Sequence, residues 1–508
     1  MTTTTAELTS ERTEHGAPAG SEAKAATQAQ ATGAKRKLKA DLVVIGAGSG
    51  GLSAAAGAAM LGLNVVLYEK AEMGGDCLNY GCVPSKALLA SAKAAASARD
   101  AERFGVALPE PEVDWTKVRA HVQGVIDTIA PVDSQERFEG LGVTVIREAA
   151  SFLNRKTVVS ASTEVTSRRI IIATGSTAFI PPIPGLAETP FLTNETLFTT
   201  PIFPAKLIIL GGGPIGMEMA QAFNRLGSNV TVIEMGRALG RADADHAALV
   251  VDKMRAEGVT ILEGQKAIQV TGDAGAIAVD VEADGTTKRV EGTHLLVAVG
   301  RRTMLDGLNL EAGGVDFDSK GVVTKSNLRS TSNPKVWALG DAAGREQFTH
   351  MAGWHASAFV RSALFKSTTR ADSLPAPAVT YTQPEIAQLG LTEAEARAEH
   401  GDKIKIGRFS FEENDRAIAE RHAEGECKLI IKSGKILGAS IVGDGAGDII
   451  QLVSVAMSNG LGVKALTNFI SPYPTRAEVV KRSASAYFAP TVFGSASKRL
   501  VGLLQRIP

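Results

Sequence analysis

The sequence predicts an α/β fold in which one parallel-sheet unit occurs twice, and three observations predict it. A strand–glycine-loop–helix–strand pattern opens at Asp41 and again at Lys206, and in both copies an acid stands 23 residues after the first glycine. The composition, with 52 glycines and 5% aromatic residues, suits tight turns and close helix–sheet packing. At roughly 150 residues per domain, the 508 residues make about three domains. The 54 basic and 54 acidic side chains cancel, which argues against nucleic acid as a partner, because phosphate binding wants a basic face. Three cysteines in a chain of this length exclude a disulfide-stapled secreted scaffold.

Residues 1–37 read as a disordered tail. They hold almost no large apolar side chain and end on Lys35, Arg36 and Lys37, so they cannot bury enough surface to offset ordering entropy. There is no apolar core of a secretory signal, and Glu7, Glu11, Glu14 and Glu22 speak against a transit peptide. No apolar run reaches the ~20 residues of a membrane span; Leu52 to Leu63 reads as a buried crossover helix.

The first unit begins with the buried-strand pattern Asp41-Leu-Val-Val-Ile45. It continues through Gly46-Ala-Gly48-Ser49-Gly-Gly51, an alanine-rich helix, and the strand Asn64 to Tyr68 ending at Glu69. The second runs from Lys206-Leu-Ile-Ile-Leu210 through Gly211-Gly-Gly213-Pro-Ile215-Gly216 to Asn229-Val-Thr-Val-Ile233 and Glu234. Each position has a physical reason. The first glycine makes the tight turn, the second lets the backbone approach a pyrophosphate, the third packs helix on strand, and the acid suits a ribose hydroxyl. Two units at matching offsets make two Rossmann-like dinucleotide-binding domains.

Between them lies Gly74-Gly75-Asp-Cys77-Leu-Asn-Tyr-Gly81-Cys82-Val-Pro84-Ser-Lys86. Positions i and i+5 of a straight helix point about 140° apart, so joining the two thiols needs a bend, which Gly81 permits. Pro84 fits a first helical turn, placing Cys82 near a helix N-terminus that favours a thiolate. A strained dithiol beside a dinucleotide site is a redox couple. Zinc would want four ligands, and the third thiol, Cys427, sits in the strand-like run Cys427 to Ile431 and reads as core; no metal site is expected.

These motifs together resemble the class I pyridine nucleotide–disulfide oxidoreductases, which include dihydrolipoyl dehydrogenase, glutathione reductase and mercuric reductase. The resemblance runs from about Leu38 to Phe488. It includes Ile170 to Thr174-Gly175, Ala298-Val-Gly300-Arg-Arg302, Val336 to Gly340-Asp341, Pro377 to Glu385, and Pro472-Tyr473-Pro474-Thr475 to Glu478. It implies an FAD-binding domain in two parts (38–185 and 305–374), an NAD(P)-binding domain (186–304), an α+β dimerisation domain (375–490) and a tail (491–508).

Carried over by position, the resemblance implies Cys82 as the thiol that pairs with the flavin and Cys77 as the thiol that meets substrate. Lys86, paired with Glu218, would sit near the flavin. Hydride would pass from nicotinamide to FAD and electrons from FAD to the disulfide. FAD would be held by Gly46, Gly48, Ser49, Gly51, Glu69, Lys70, Gly75, Lys86, Thr174, Gly175, Gly340 and Asp341. The nicotinamide coenzyme would be held by Gly211, Gly213, Ile215, Gly216, Glu234 and Gly300. The carboxylate of Glu234 favours NAD(H) over NADP(H) by repelling a 2′-phosphate, with Arg237 and Arg241 close behind.

The chain departs from the pattern at the acid/base position. Where dihydrolipoyl dehydrogenase and glutathione reductase have a histidine followed by a glutamate, this chain has Tyr473 and Glu478. A phenol of pKa ~10 is a poor proton shuttle where an imidazole near ~6.5 is a good one. Mercuric reductases resemble this chain in lacking the histidine, but nothing after Cys427 is a thiol, so their C-terminal cysteine pair is missing, as is an N-terminal Cys-x-x-Cys domain. His350 and His355 could supply a proton, or pack at the edge of the flavin pocket.

The expectation is therefore a cytoplasmic, homodimeric enzyme whose partner subunit contributes Glu478. Its substrate would be a small disulfide, a thiol or a thiol-bound metal ion. The alternatives are a dihydrolipoyl dehydrogenase and an NADH-responsive flavoprotein sensor. The C-terminal run Lys498 to Arg506 is weakly amphipathic and reads as a surface or dimer-packing helix rather than a membrane contact.

Overall fold

The strand Arg36–Ile45 is buried from Leu42 to Ile45 on both faces, as a central parallel strand covered by helices should be. It pairs in parallel with Val65–Tyr68 on one side and Thr163–Ile172 on the other. The structure, a computed structural model, describes residues 35–507. The expected tail lies outside these except for its last residues, and there the expectation is corrected. Arg36 and Lys37 are strand residues, paired with Thr163 and Glu164. Pairing there uses backbone groups, so the polar side chains that suggested a tail do not oppose it.

The chain leaves this first sheet and returns to it late. The strand Val336–Ala338 pairs in parallel with Ile170, Ile171 and Ile172. Between lies a second parallel sheet, ordered Thr260–Leu262, Asn229–Ile233, Lys206–Leu210, His294–Val297, beside a three-stranded antiparallel sheet of residues 266–292. The two crossings between the sheets are themselves paired, Ser176–Ala178 against Arg301–Thr303. The last region is a five-stranded antiparallel sheet backed by the helices Ala446–Ser458 and Glu478–Val492. The latter helix runs two residues past the expected start of the tail, and a separate helix, Ser495–Leu504, follows it.

Cys427 is wholly buried in the strand Glu426–Lys432, and burial pushes its thiol up to about 12, which makes it inert packing. Its neighbour Lys428, 1% exposed, reaches Asp243 at 2.7 Å and Asp245 at 2.6 Å across the boundary with the second domain. Arg408 completes this network on Asp245 and Glu426, and the buried His246 lies between Ser440 (2.7 Å) and Glu426 (3.0 Å). Asp245, His246 and Glu426 stand at metal-ligand spacing, but their carboxylates already neutralise Lys428 and Arg408.

This network generates a prediction. Removing one partner of a buried ion pair leaves an uncompensated charge and costs about 3–5 kcal/mol. Lys428→Met should lower the thermal unfolding midpoint, and Asp243→Asn added to it should recover part of the loss. Additive effects of the two substitutions in a double-mutant cycle would show that the pair is not coupled.

Candidate functional site

The two glycine loops are the same structure built twice. Gly46 and Gly211 both sit at φ +105°, where an L side chain is strained. A Cβ there would stand 2.4 Å from the Ala173 carbonyl oxygen and 2.5 Å from that of Ala298. At Gly51 and Gly216 a Cβ would stand 1.9 and 2.0 Å from the carbonyl oxygens of Gly46 and Gly211, so each glycine sets its helix against its loop. The acids also correspond. Glu69 accepts from the N–H groups of Ala47 (2.7 Å) and Ala71 (2.8 Å), and Glu234 from those of Gly212 (2.7 Å) and Gly236 (2.7 Å). Each carboxylate braces its own loop and keeps a second lone pair on each oxygen.

The middle glycines differ from the others. A Cβ on Gly213 would meet nothing within 4 Å, and one on Gly48 only Gly75 at 4.0 Å. The fold does not need glycine there, yet both face a cleft of about 2660 Å³. The helices Ser49–Met60 and Pro214–Arg225 open at these loops, and neither carries an acid in its first turn. Bare backbone at a helix N-terminus without a competing carboxylate is what a pyrophosphate requires. The residues present therefore fit a dinucleotide in each loop. Ser49, Lys70, Thr174, Gly175, Ile215, Gly300, Gly340 and Asp341 line the same cleft.

The cysteine segment packs directly on the first loop. Gly74 donates its N–H to the Ala47 carbonyl (3.0 Å), and a Cβ on Gly75 would stand 2.7 Å from Gly48 Cα. Cys77 lies in the short helix Gly75–Asn79; the chain breaks at Tyr80–Gly81, and Cys82 opens the helix Cys82–Arg99. That break is the bend the spacing asked for, and it brings the thiols into hydrogen-bond contact. The Cys82 thiol is lowered to about 6 by the hydrogen bond from Cys77, which outweighs desolvation, with help from the Thr349 hydroxyl at 3.3 Å and the charge of Lys86. Cys77 is raised by the same contact and by burial. The contact thus favours the thiolate on Cys82 and the proton on Cys77.

Lys86 Nζ is 2.8 Å from Glu218 Oε2 and 4.4 Å from the ring centre of Tyr381. Glu218 is 5% exposed, and its other oxygen accepts the Tyr381 N–H at 2.9 Å. The pairing expected from sequence is thus present, joined by a residue that sequence reasoning quoted inside a motif without giving it a role. A second network was missed likewise. Asp341, held up by burial, accepts from the Ser176 hydroxyl. Arg301 donates to Ser176 at 2.7 Å and pairs with Asp76 at 3.1 Å, and Asp76 accepts from Asn194 at 2.9 Å. Asp76, Ser176 and Arg301 each stand next to a motif residue, which was the only signal available.

Tyr473 and Glu478 are not brought to the thiols within the chain; neither lines the cleft. Tyr473 is 70% exposed and donates to Asp415 at 2.7 Å, and that carboxylate raises its phenol. Glu478 pairs with Arg482 at 2.9 Å. His355 is fully buried, accepts the Gly340 N–H at 3.1 Å, and is lowered by burial to about 4. His350 lines the cleft, stacked on Phe348, and burial lowers it as well. Both are neutral near pH 7 and are poor proton donors there.

Residues 40–356 match the pyridine nucleotide-disulphide oxidoreductase family, and residues 376–484 match its dimerisation domain. The mercuric reductase of Streptomyces lividans is 35% identical over 459 residues, covering 88% of this chain and 96% of that protein. A dihydrolipoyl dehydrogenase of Bacillus subtilis (strain 168) is 34% identical over 448 residues, covering 86% of this chain and 96% of that protein. Among solved structures, the Cu(II) complex of the HOCl-induced flavoprotein disulfide reductase RclA from Escherichia coli matches with a TM-score of 0.76 at 26% identity. That match covers 86% of this chain and 98% of the other.

The geometry predicts a split in thiol reactivity. In the reduced protein, iodoacetamide should alkylate Cys82 with a rate that rises about tenfold per pH unit below about 6 and is flat above 7, because the thiolate is the nucleophile. Lys86→Met and Thr349→Val should each move the inflection upward. An inflection near ~8.5, the value of a free thiol, would contradict the assignment of the thiolate to Cys82.

Proposed function

Because the chain belongs to the pyridine nucleotide-disulphide oxidoreductases, NAD(P)H-dependent flavoenzymes acting on sulfur groups, we propose that it passes electrons through a Cys77–Cys82 couple to a thiol-bound soft metal ion. FAD, when bound, supplies the two-electron exchange between the nicotinamide and sulfur. The observation that carries the reading is the unequal proton between two thiols set against the first glycine loop, with Lys86 beside them. Cys82 takes the role of the cofactor-side thiolate, and Cys77, which keeps its proton, that of the thiol exchanged with substrate. Glu218 holds Lys86 in place, so a positive charge stays fixed beside the sulfur while electrons move.

The choice of substrate class rests on protons. A disulfide takes up two electrons and two protons, and its leaving thiolate needs a donor. A metal ion held by two thiolates takes up the same two electrons at the metal and releases its ligands as thiolates, which can be protonated after they leave the site. Its reduction therefore makes less demand on a donor held there, and thiolates also select soft ions. Tyr473 stands where a donor imidazole is wanted, its phenol raised further by Asp415, and His350 in the cleft and the buried His355 are both lowered. The mercuric reductase of S. lividans and the Cu(II) complex of RclA are relatives whose names carry metals. The alternative reading, dihydrolipoyl dehydrogenase, is favoured by the B. subtilis relative and opposed by Tyr473. A sensor with little turnover would not need the dithiol.

We read the protein as a homodimer. Residues 376–484 match a dimerisation domain, and the exposed Tyr473 and the half-buried Glu478, both outside their own chain's cleft, would reach the partner's thiols. A dithiol that must return to its reduced form, together with NAD(P)H, suits the reducing cytoplasm. Among the described residues no helix is long and apolar enough to cross a membrane. NADH is the favoured coenzyme, because the Glu234 carboxylate is held at the cleft wall by two backbone N–H groups. Arg237 and Arg241 also line the cleft, and Arg237 donates to the Gly240 and Ala242 carbonyls (3.4 Å each), which keeps the preference moderate.

Two outcomes test this. Glu234→Ala should reduce the preference for NADH over NADPH by about ten- to a hundredfold, the worth of a charged hydrogen bond. A wild type that strongly prefers NADPH would refute the argument from the carboxylate. On lipoamide, wild type should be slow and Tyr473→His faster by ~10² or more, with an inflection at a histidine pKa that Glu478→Gln blunts. A wild type already fast on lipoamide, and indifferent to Tyr473→Phe, would instead favour the dihydrolipoyl dehydrogenase reading.

A further inference from the structure

The helix Ser495–Leu504 buries none of its residues. A ten-residue helix in water is below the length at which propensity alone holds it together, so its stability requires a surface to lie on. The sequence describes that surface. Within the helix Leu500, Leu503 and Leu504 follow the i, i+3, i+4 spacing of one face and are 56%, 60% and 51% exposed, and Ile507, just past its end, is 66% exposed. Val492 and Phe493, 54% and 70% exposed at the turn before the helix, extend the apolar surface. Lys498 stands on the opposite face, Arg499 flanks the leucines, Arg506 follows just past the helix end, and from Val479 to Pro508 there is no Asp or Glu.

The geometry points to an anionic lipid surface as the occupant of this face. The argument is charge complementarity. A contact with a protein of ordinary composition would want acids among the basic residues, and a two-fold contact between copies of this helix would set like charges together. An amphipathic helix with a narrow leucine face, whose charged residues are all basic, instead fits the boundary between acyl chains and acidic headgroups. There the leucines enter the apolar layer and the lysine and arginines stay at the phosphates. Lipid binding of this kind is peripheral and requires no spanning segment. It is independent of the substrate proposed above: the helix lies beyond the dimerisation sheet and contributes nothing to the cleft.

The test uses the full-length, FAD-loaded protein and sedimentation with vesicles of phosphatidylcholine alone or with one-third phosphatidylglycerol. Binding should be strong only on the anionic vesicles and should weaken as salt is raised. Leu500→Glu/Leu503→Glu/Leu504→Glu and Arg499→Glu/Arg506→Glu should each reduce it by about tenfold or more. NADH oxidation with a soluble artificial acceptor should be unchanged in both variants, which shows that they are folded. Equal binding to neutral and anionic vesicles, or none, would overturn the proposal. So would retention of binding by the triple variant. A change of that variant's sedimentation coefficient to that of a smaller assembly would show that a second copy, rather than lipid, covers the face.

Discussion

One buried carboxylate holds the working parts of this protein in register. Glu218 stands on the helix that opens the second glycine loop, and its two oxygens take a lysine from the first domain and a backbone N–H from the third. A charge at 5% exposure is tolerable only when it is paired and hydrogen-bonded, so neither partner can drift without leaving it uncompensated. One turn along the same helix, Gln221 exchanges hydrogen bonds with Gln383 in both directions (2.7 and 2.8 Å), and Arg225 joins Gln383 to Glu257. The position of Lys86, and with it the field at Cys82, is thus set by all three domains together.

Duplication supplies the other constraint. Both loops use the same strained first glycine, the same packed last glycine and the same bracing acid, down to the backbone N–H groups that acid accepts. What distinguishes the copies is what lies on them. The first carries the cysteine segment, pressed so closely on Gly48 that Gly75 has no room for a side chain. The second carries Glu218 one turn into its helix, where it reaches back to that segment. Two like cradles are made different by the few residues that lie on each.

The features legible in the sequence were those whose cause is local. Positive φ, a helix start, a bend between two cysteines and an acid at a strand end are each decided by neighbouring residues. Those positions stood where the pattern put them, and so did the Lys86–Glu218 pair, which came from resemblance across 132 positions. Less legible were Asp76, Ser176 and Arg301, which have no spacing rule. They converge because the crossing strands Ser176–Ala178 and Arg301–Thr303 pair beside the cysteine segment. Arg36 and Lys37 were misread because polarity describes side chains, whereas their place in the sheet rests on backbone pairing.

The sequence by itself determined that there are two dinucleotide loops, a pair of cysteines set beside the first of them, and no imidazole where the related disulfide enzymes place one. Only the tertiary structure shows which thiol is favoured as the thiolate, because that rests on the contact the bend makes between Cys77 and Cys82 and on the charge of a lysine held by another domain. It alone decided that Tyr473 lies outside its own chain's cleft, bound to Asp415, and that His355 is a buried acceptor rather than a proton donor. The physical reason is the same in each case. Backbone geometry is written into adjacent residues, but a proton's affinity for a group is set by desolvation and by charges that only folding brings near.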